Sequence, residues 1–234
     1  MVSAETPFVT SDLSMLKLEN YCLSNMTQTQ LEPKLYSFDE FISWYPEISE
    51  VRYELHNGVI IEMPKPRGKH SNLTGAVIEQ LLIVIRQMNK GGIWTIPRES
   101  IVKTKQSQSG YEPDIIVLNQ EALVAESRWE TESIVQNPES VKLIVEVVST
   151  NWRDDYYNKL RDYEEMGIDE YWIIDYAALG PRKFIGDPKQ PTVFVCSLID
   201  GEYQMNPFTG NSTIISLTLP KFKLSAGEIF ALAI

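Results

Sequence analysis

The sequence contains little cysteine and no long apolar run. Cys22 and Cys196 are the only two thiols in 234 residues, too few and too far apart for a disulfide framework or a cysteine metal site. No apolar stretch approaches the roughly 20 residues that cross a bilayer. The first basic residue is Lys17, and no basic region followed by an apolar one opens the chain. These absences predict reduced thiols, no membrane partner and a cytoplasmic location.

Basic residues are also scarce. Asp and Glu number 32 against 21 Lys and Arg, which gives a formal charge of -11. Such a chain lacks the broad positive field that binds DNA without sequence preference, and this argues against a DNA-coating protein. An enzyme acting on nucleic acid stays open, because a local basic strip and a cation held at an acidic site can bind phosphates on an otherwise acidic surface.

The composition is that of a globular protein with one domain. Hydrophobic residues make up 43% and charged residues 23% of the chain, and the length lies within the usual range for a single domain. Residues 1–35 are rich in Ser, Thr, Gln and Asn with scattered leucines. We therefore expect a flexible or loosely attached N-terminal segment over 1–35 and a single domain over 36–234.

Local signals predict a mixed α/β sheet flanked by helices, with extra antiparallel strands (an α+β arrangement). The Ser37–Glu40 spacing predicts a capped helix, and Asn57-Gly58 inside Tyr53–Met63 predicts a hairpin. A strand-helix-strand unit predicts a parallel strand pair. The other predicted elements are a helix over Ser71–Met88, one or two strands in Ile93–Lys105, strands over Asp114–Leu118 and Val141–Val148, a helix over Arg153–Met166, strands at Tyr171–Asp175, Phe184–Ile185, Val193–Leu198 and Glu202–Met205, and a helix starting at Ser225.

Two carboxylates and a lysine stand out within these elements. Asp114 follows Pro113 at the start of a buried strand, and Glu146 interrupts an apolar strand where an unpaired charge is costly. Lys159 follows on the next amphipathic helix. Oxygen ligands of this kind hold a divalent cation, which activates water and neutralises charge on a phosphate. The order therefore indicates a metal-dependent nuclease site.

Each of the three residues also has a purely structural explanation. Glu146 could form a salt bridge or lie near a solvent-exposed strand end, and Asp114 could serve a turn or a cap. Lys159 could pair with Asp155 across one helical turn. Only their combination favours the shared site.

Several short motifs in a set order carry a family resemblance. They are Tyr53-x-Leu55-x-x-Gly58, His70 near a helix start, Pro113-Asp114, Ile144-Val145-Glu146-Val147-Val148-Ser149, Lys159-x-x-x-Tyr163 and Glu170-Tyr171-Trp172-Ile173-Ile174-Asp175. This set, over about residues 37–198, resembles the Uma-type (Uma-two) endonucleases of the PD-(D/E)xK nuclease superfamily. The superfamily's usual lysine lies two residues after the acid, where this chain has Val148.

The resemblance implies a restriction-endonuclease-like fold that cleaves DNA with Mg²⁺, with Mn²⁺ able to substitute. It implies that Asp114 and Glu146 bind the metal, with the backbone carbonyl of Val147 as a further ligand. Lys159 would assist the attacking water from its helix, replacing the lysine missing at Val148. Two-strand cleavage normally needs two active sites, so the resemblance also implies a homodimer.

Four further residues are candidates for the same site. Glu99 has an acidic counterpart in the resembling family and could add or orient a metal ligand, or it could be a solvated acid beside Arg98. His70 follows Arg67 and Lys69, and these three could contact phosphate at a helix N-terminus, where backbone N–H groups favour anions. A capping or surface histidine is the alternative for His70.

Two other functions stay compatible with the sequence. One is a catalytically inactive nuclease-fold protein with a binding or regulatory role, which the acidic charge and the displaced lysine both permit. The other is a metal-dependent hydrolase of small phosphates. The sequence shows no recognition helix or zinc module from which a DNA sequence preference could be derived.

Overall fold

A computed structural model describes residues 34–46, 51–105 and 108–233. The predicted N-terminal segment, 1–35, falls almost wholly outside these residues. The helices are α1 Phe38–Trp44, α2 Gly68–Gln87, α3 Gln120–Leu123, α4 Trp129–Glu132, α5 Lys159–Met166, α6 Arg182–Ile185 and α7 Ala226–Ala231. The strands are β1 Arg52–His56, β2 Val59–Met63, β3 Trp94–Thr95, β4 Ile101–Lys103, β5 Gly110–Tyr111, β6 Ile115–Asn119, β7 Ile134–Val135, β8 Val141–Val147, β9 Glu170–Asp175, β10 Thr192–Ile199 and β11 Glu202–Phe208.

The described strands form two sheets. The larger has the order β11-β10-β9-β8-β6-β3, in which β8 and β9 are parallel and the other neighbours antiparallel. The smaller has the order β2-β1-β5-β4-β7, with β4 and β7 parallel. The predicted mixed sheet and its parallel pair are therefore present, and the hairpin strands belong to the second sheet.

Strand β8 is buried on both faces, and its alternation decides where Glu146 points. Leu143, Val145 and Val147 pack in the cluster that contains apolar residues of α2. Ile144 and Val148 pack on the opposite face, in the cluster that contains apolar residues of α5. Because successive strand side chains point to opposite faces, Glu146 points to the α5 face.

The local signals for α1 and the hairpin are confirmed. Ser37 and Glu40 form a reciprocal capping box at the start of α1. Asn57 and Gly58 both have positive φ, 48° and 85°, and join β1 to β2 as a two-residue turn of the kind that matches strand twist. Asn-Gly is favoured there because both residues tolerate this backbone region.

Two predicted elements differ in the structure. Phe184–Ile185 was expected to be a strand and this is wrong, because it lies in the short helix α6, which begins after Pro181 and ends at Gly186 with φ 85°. The helix expected over Arg153–Met166 is π-helical over Asp154–Asn158 before α5 begins at Lys159. Such wide turns occur often at functional sites. None of the described helices is long and apolar enough to cross a membrane.

Candidate active site

A cavity of about 340 Å³ lies where β1, β6, β8 and the π-helical turn meet. We call it the acidic cavity, because its wall includes the carboxylates of Glu54, Asp114, Glu146 and Asp155 together with the ammonium group of Lys159. The sequence spreads these residues over 54–159. The two sheets and the helix bring them to one place.

Two hydrogen bonds from backbone N–H groups connect the segments that carry Asp114 and Glu146. The N–H of Asp114 donates to Oε2 of Glu146 at 3.4 Å, and the N–H of Val147 donates to Oδ2 of Asp114 at 2.9 Å. Their strands pair antiparallel, with Ile115 opposite Val145. The strand register therefore places both carboxylates side by side at one end of the larger sheet.

His70 lies between two of the oxygen atoms predicted to bind metal. Its Nε2 is 2.9 Å from the carbonyl oxygen of Val147 and 3.2 Å from Oδ2 of Asp114. Both partners only accept hydrogen bonds, so Nε2 must carry the proton. Burial opposes the charged imidazole, but the hydrogen bond and charge of Asp114 raise the pKa of His70. The ring is therefore inside the cavity wall and not on the surface.

Lys159 reaches Glu146 from its helix. Its Nζ donates to Oε1 of Glu146 at 2.9 Å and to Oε1 of Glu54 at 3.1 Å, while Asp155 lies at 3.9 Å. The lysine is 2% exposed, so these carboxylates compensate a buried charge. Burial lowers the pKa of Lys159, but Glu146 and Glu54 outweigh it and raise the pKa well above its usual value. The ammonium group therefore stays charged at neutral pH.

Glu54 connects Lys159 to other polar groups. Its Oε1 also accepts the backbone N–H of Glu112, and its Oε2 lies 2.8 Å from Nε2 of His56. The other ring nitrogen of His56 is 3.6 Å from Asp154. Burial would lower the pKa of His56, but the hydrogen bonds and charges of Asp154 and Glu54 raise it to about 9. The chain of contacts holds Glu54 in one orientation.

The carboxylates of the acidic cavity are crowded together, and burial and this crowding raise the pKa of two of them. Burial, with the charges of Asp114 and Glu54, raises the pKa of Glu146 to about 7 despite the opposing effect of Lys159. The pKa of Asp155 is also raised well above its usual value, mainly by burial and by neighbouring carboxylates including Glu146. Carboxylates that are hard to ionise together form a place where an added cation is stabilised.

The donor atoms fit one hard divalent cation. Oδ2 of Asp114, the carbonyl oxygen of Val147 and Oε2 of Glu146 are all oxygen donors of the kind such a cation prefers. The His70 N–H contacts the first two of these atoms, so a cation bound to both requires the His70 ring to move. No group of three or more His, Cys, Asp or Glu side chains within residues 34–46, 51–105 and 108–233 is arranged to hold a metal ion. Mg²⁺ does not need one, because it is commonly held by one or two carboxylates and several waters.

The other predicted site residues lie farther out. Glu99 is exposed, lies 3.4 Å from Arg98, and lines a second cavity of about 420 Å³ together with Arg52 and Glu112. It is not part of the acidic cavity's wall. Arg67 is exposed and lines the acidic cavity just before α2, whereas Lys69 is exposed on the first turn of α2 outside that wall.

The sequence reasoning missed Glu54 and His56, and it treated Asp155 only as a helical ion-pair partner. The sequence contained one indication that Glu54 and His56 act together. They alternate on β1 and share one face of the strand, which by pattern alone is as compatible with solvent as with a site. In the structure that face is buried against Lys159 and Asp154.

Comparisons with known proteins agree with this architecture. The family model described as "Uma2: Putative restriction endonuclease" matches residues 38–227. Among solved structures, a putative nuclease belonging to DUF820 from Anabaena variabilis ATCC 29413 matches with a TM-score of 0.64 and 20% sequence identity, over 85% of this chain and 99% of that one. The comparison with curated proteins gave no match. The structural likeness confirms the predicted restriction-endonuclease-like α/β fold.

Proposed function

The chain belongs to the Uma2 family of putative restriction endonucleases, and from this premise we propose that it hydrolyses phosphodiester bonds of DNA with the help of Mg²⁺. The observation that carries the proposal is the acidic cavity. Asp114 and Glu146 lie side by side, and the charged end of Lys159 is 2.9 Å from Glu146 although the lysine comes from the following helix.

The two oxygens of Glu146 have different neighbours, which supports a division of roles. Oε2 is on the Asp114 side, and Oε1 accepts hydrogen bonds from Lys159 at 2.9 Å and from the Tyr163 hydroxyl at 3.4 Å. Asp114, Oε2 of Glu146 and the Val147 carbonyl are the groups that would hold Mg²⁺. A bound Mg²⁺ supplies Lewis-acid polarisation of the phosphate and a lower pKa for water.

Lys159 acts as a hydrogen-bond donor in this proposal. Its raised pKa keeps it protonated, so it orients the attacking water or stabilises the negative charge that develops on the phosphate oxygens. Hydrolysis forms a bond from the water oxygen to phosphorus, breaks the bond to the leaving oxygen, and leaves a proton on that oxygen. Glu54 also accepts a hydrogen bond from the lysine, at 3.1 Å, and so helps to keep it in place.

Arg67 at the mouth of the cavity is proposed to contact the phosphate backbone. It is exposed, it lines the acidic cavity, and it directly precedes the first turn of α2, whose N–H groups favour anions. Lys69 would contribute only to backbone contacts outside the cavity. His70 is buried against Asp114, so a direct phosphate contact from it requires the ring to leave that position.

Cleavage of plasmid and single-stranded DNA tests the proposal. Purified protein is expected to cut in Mg²⁺ or Mn²⁺ and to stop when the metal is chelated. Glu146→Gln and Asp114→Asn should each reduce the rate by about 100-fold or more, as is typical when a group that acts on transition-state charge is removed. Glu79→Gln, which changes an exposed acid on α2, is the matched control.

Metal binding without turnover separates the two remaining functions. Calorimetric titration with Mn²⁺ should show binding that Glu146→Gln weakens. Metal binding without cleavage of any DNA would indicate the catalytically inactive binding protein, and cleavage of mononucleotides alone would indicate a hydrolase of small phosphates. The homodimer and the cytoplasmic location stay predictions, which light scattering and cell fractionation can check.

A further inference from the structure

A surface of aromatic and basic side chains borders the acidic cavity. It consists of Trp152, Arg153 and Tyr157 at the start of the helical segment after β8, and Lys183 and Phe184 of α6. We call it the aromatic-basic patch. None of these residues has a role in the proposed mechanism.

The rings and cations of the aromatic-basic patch are interleaved. The centroid of Tyr157 is 6.4 Å from that of Trp152 and 6.0 Å from that of Phe184. The Arg153 guanidinium lies 4.5 Å from the Trp152 ring, and Lys183 Nζ lies 4.7 Å from the rings of both Tyr157 and Phe184. Two positive charges therefore accompany three rings over one continuous surface.

Trp152 and Phe184 are half-buried against the core, whereas Tyr157 is an exposed ring. Beneath them, Tyr156 is fully buried and stacks on Phe184 at 5.4 Å, and its edge contacts Phe194 at 5.7 Å. Tyr157 is 39% exposed, although its neighbour in sequence fills the core. An aromatic ring held at the surface by its neighbours provides a flat face at low entropic cost.

The residues of the aromatic-basic patch do not line the acidic cavity, but they lie close in sequence to residues that do. Asn151, Asp155 and Lys159 recur every four residues on the same segment, and all three line the cavity. Trp152, Arg153 and Tyr157 lie between these residues in sequence and therefore on the neighbouring faces of the same helical segment. On the other side, Leu179 lines the cavity shortly before α6 begins. A strand leaving the cavity in this direction would pass over the rings.

We propose that the aromatic-basic patch binds unpaired nucleotides next to the scissile phosphate, so that the preferred substrate has a single-stranded segment. The inference rests on the proposed nuclease function. Aromatic rings stack on bases only where a base face is free, and a paired duplex offers such a face only at its ends. Arg153 and Lys183 supply positive charge for the accompanying phosphates, on a protein whose formal charge is -11.

The patch favours a nucleic-acid strand over an acidic protein partner. Exposed arginine and lysine alone would suit either one, but adjacent aromatic rings near the proposed hydrolytic site suit bases, each of which has a face that stacks on an aromatic side chain. Arg182 adds a third exposed cation, which lies 3.7 Å from the exposed Asp187. Its charge is shared with that carboxylate, so the proposal does not depend on it.

Fluorescence anisotropy with labelled DNA tests this proposal. The probes are a single strand of about 16 nucleotides, within the range that one single-strand binding surface covers, a blunt duplex of the same sequence, and that duplex with a single-stranded overhang. Ca²⁺ replaces Mg²⁺, since it has the same charge but takes more ligands at longer distances. Binding is then measured separately from cleavage.

The expected result is tighter binding of the single strand and the overhang duplex than of the blunt duplex. Tyr157→Leu keeps apolar bulk but removes the ring, and it should weaken binding to both of these probes about tenfold. Tyr157→Phe should retain the wild-type affinity. Arg153→Gln should weaken binding and reduce its salt dependence by about one unit of slope. Trp44→Leu and Lys223→Gln, exposed residues elsewhere, are the matched controls.

Equal affinity for the blunt and overhang duplexes would overturn the proposal, as would unchanged overhang binding by Tyr157→Leu or no binding of any probe. A cleavage assay in Mg²⁺ on the same duplexes distinguishes this failure from that of the proposed function. If Tyr157→Leu cleaves these duplexes as the wild type does, the nuclease function stands and the proposed role of the patch is wrong. If binding depends on the Tyr157 ring but no DNA is cleaved, the proposed role of the patch stands and the nuclease function is wrong.

Discussion

Lys159 donates a hydrogen bond from Nζ to Oε1 of Glu54 at 3.1 Å, although the two residues are 105 positions apart in the chain. The same ammonium group donates to Glu146 at 2.9 Å. The lysine is thus held between a hairpin strand of the smaller sheet and the central strand of the larger one. Its position depends on both sheets, and so does any role it has in hydrolysis.

Replacing Lys159 should destabilise the protein strongly. Lys159→Met leaves Glu54 and Glu146 buried without their cation, and breaking a buried pair in this way typically costs about 3–5 kcal/mol. Urea unfolding of the variant and the wild type measures the loss. Adding Glu54→Gln to the variant should restore part of it, because one of the two uncompensated charges is then gone.

Lys142→Met is the matched control for this measurement. Lys142 Nζ is 3.3 Å from Asp169, nearly the same distance, but that carboxylate is 59% exposed. Exposed pairs are typically worth about 0–1 kcal/mol. Equal losses for the two lysine variants would contradict the conclusion that burial makes the Lys159 contacts important.

Removing the charge of Glu54 should weaken metal binding without touching a proposed ligand. In Glu54→Gln the side-chain oxygen can still accept from Lys159, but the ammonium group is drawn more strongly to Glu146. The lysine then competes with the metal for Glu146. Changes to groups that orient ligands typically reduce metal affinity by about 10–100-fold.

Calorimetric titration of Glu54→Gln with Mn²⁺ measures this effect, and Glu62→Gln on strand β2 of the same hairpin, an exposed position, serves as the control. Mn²⁺ affinity equal to that of the wild type would show that the charge of Glu54 does not influence metal binding. A folded variant, verified by its thermal unfolding, is required for the comparison.

Glu99 should contribute little to metal binding. It is 72% exposed and lines the second cavity, whereas Asp114 and Glu146 line the acidic cavity. Glu99→Gln is therefore expected to change Mn²⁺ affinity by about twofold at most, as for an ordinary surface substitution. Asp114→Asn changes a proposed ligand and should reduce it by at least the roughly 10–100-fold typical of residues that only orient ligands. A large loss in Glu99→Gln would instead support the ligand role predicted from the family resemblance.

His56 should make stability fall as the pH rises through the alkaline range. Its pKa is about 9 in the folded protein against an ordinary value of 6.5, so the folded state favours the charged ring. The stabilisation is fully present below pH 6.5 and is lost as the pH rises through 9. A shift of this size corresponds to about 3 kcal/mol.

Urea unfolding at pH 6 and pH 10 tests the His56 prediction, because the loss between the two should be larger in the wild type than in His56→Gln. Other groups titrate over the same range in both proteins, so the difference between them isolates the histidine. Parallel pH dependence in the two proteins would show that Glu54 and Asp154 do not hold the charged ring.

The main elements of the larger sheet were predictable because their signals are local or periodic. The apolar run around Glu146 indicated a buried strand, and the predicted helix end at Met166 is confirmed, with Gly167 following it at φ 87°. Phe184–Ile185 was predicted wrongly because a short apolar pair has no periodicity. There the backbone after Pro181 and the packing of Phe184 on Tyr156 determine a helix.

The candidate site was predictable only in part. The order of Asp114, Glu146 and Lys159 indicated a shared site, and the structure brings all three to one cavity. The surroundings of His70 were not predictable, since its contact with Val147 joins residues 77 positions apart. The exposure of Glu99 was not predictable either; it lies between β3 and β4 and outside the wall of the acidic cavity.

The parallel pair β8–β9 follows from the strand-helix-strand order of the sequence. The sequence by itself also determined the helix caps, the Asn57-Gly58 turn and the alternation of side chains along β8. These depend on interactions within a few residues or on a fixed period. Only the tertiary structure decided that Glu54 and Glu146 share Lys159, and that several carboxylates are crowded together in the acidic cavity. Burial and distance between remote segments set both, and neither quantity exists until the two sheets have packed together.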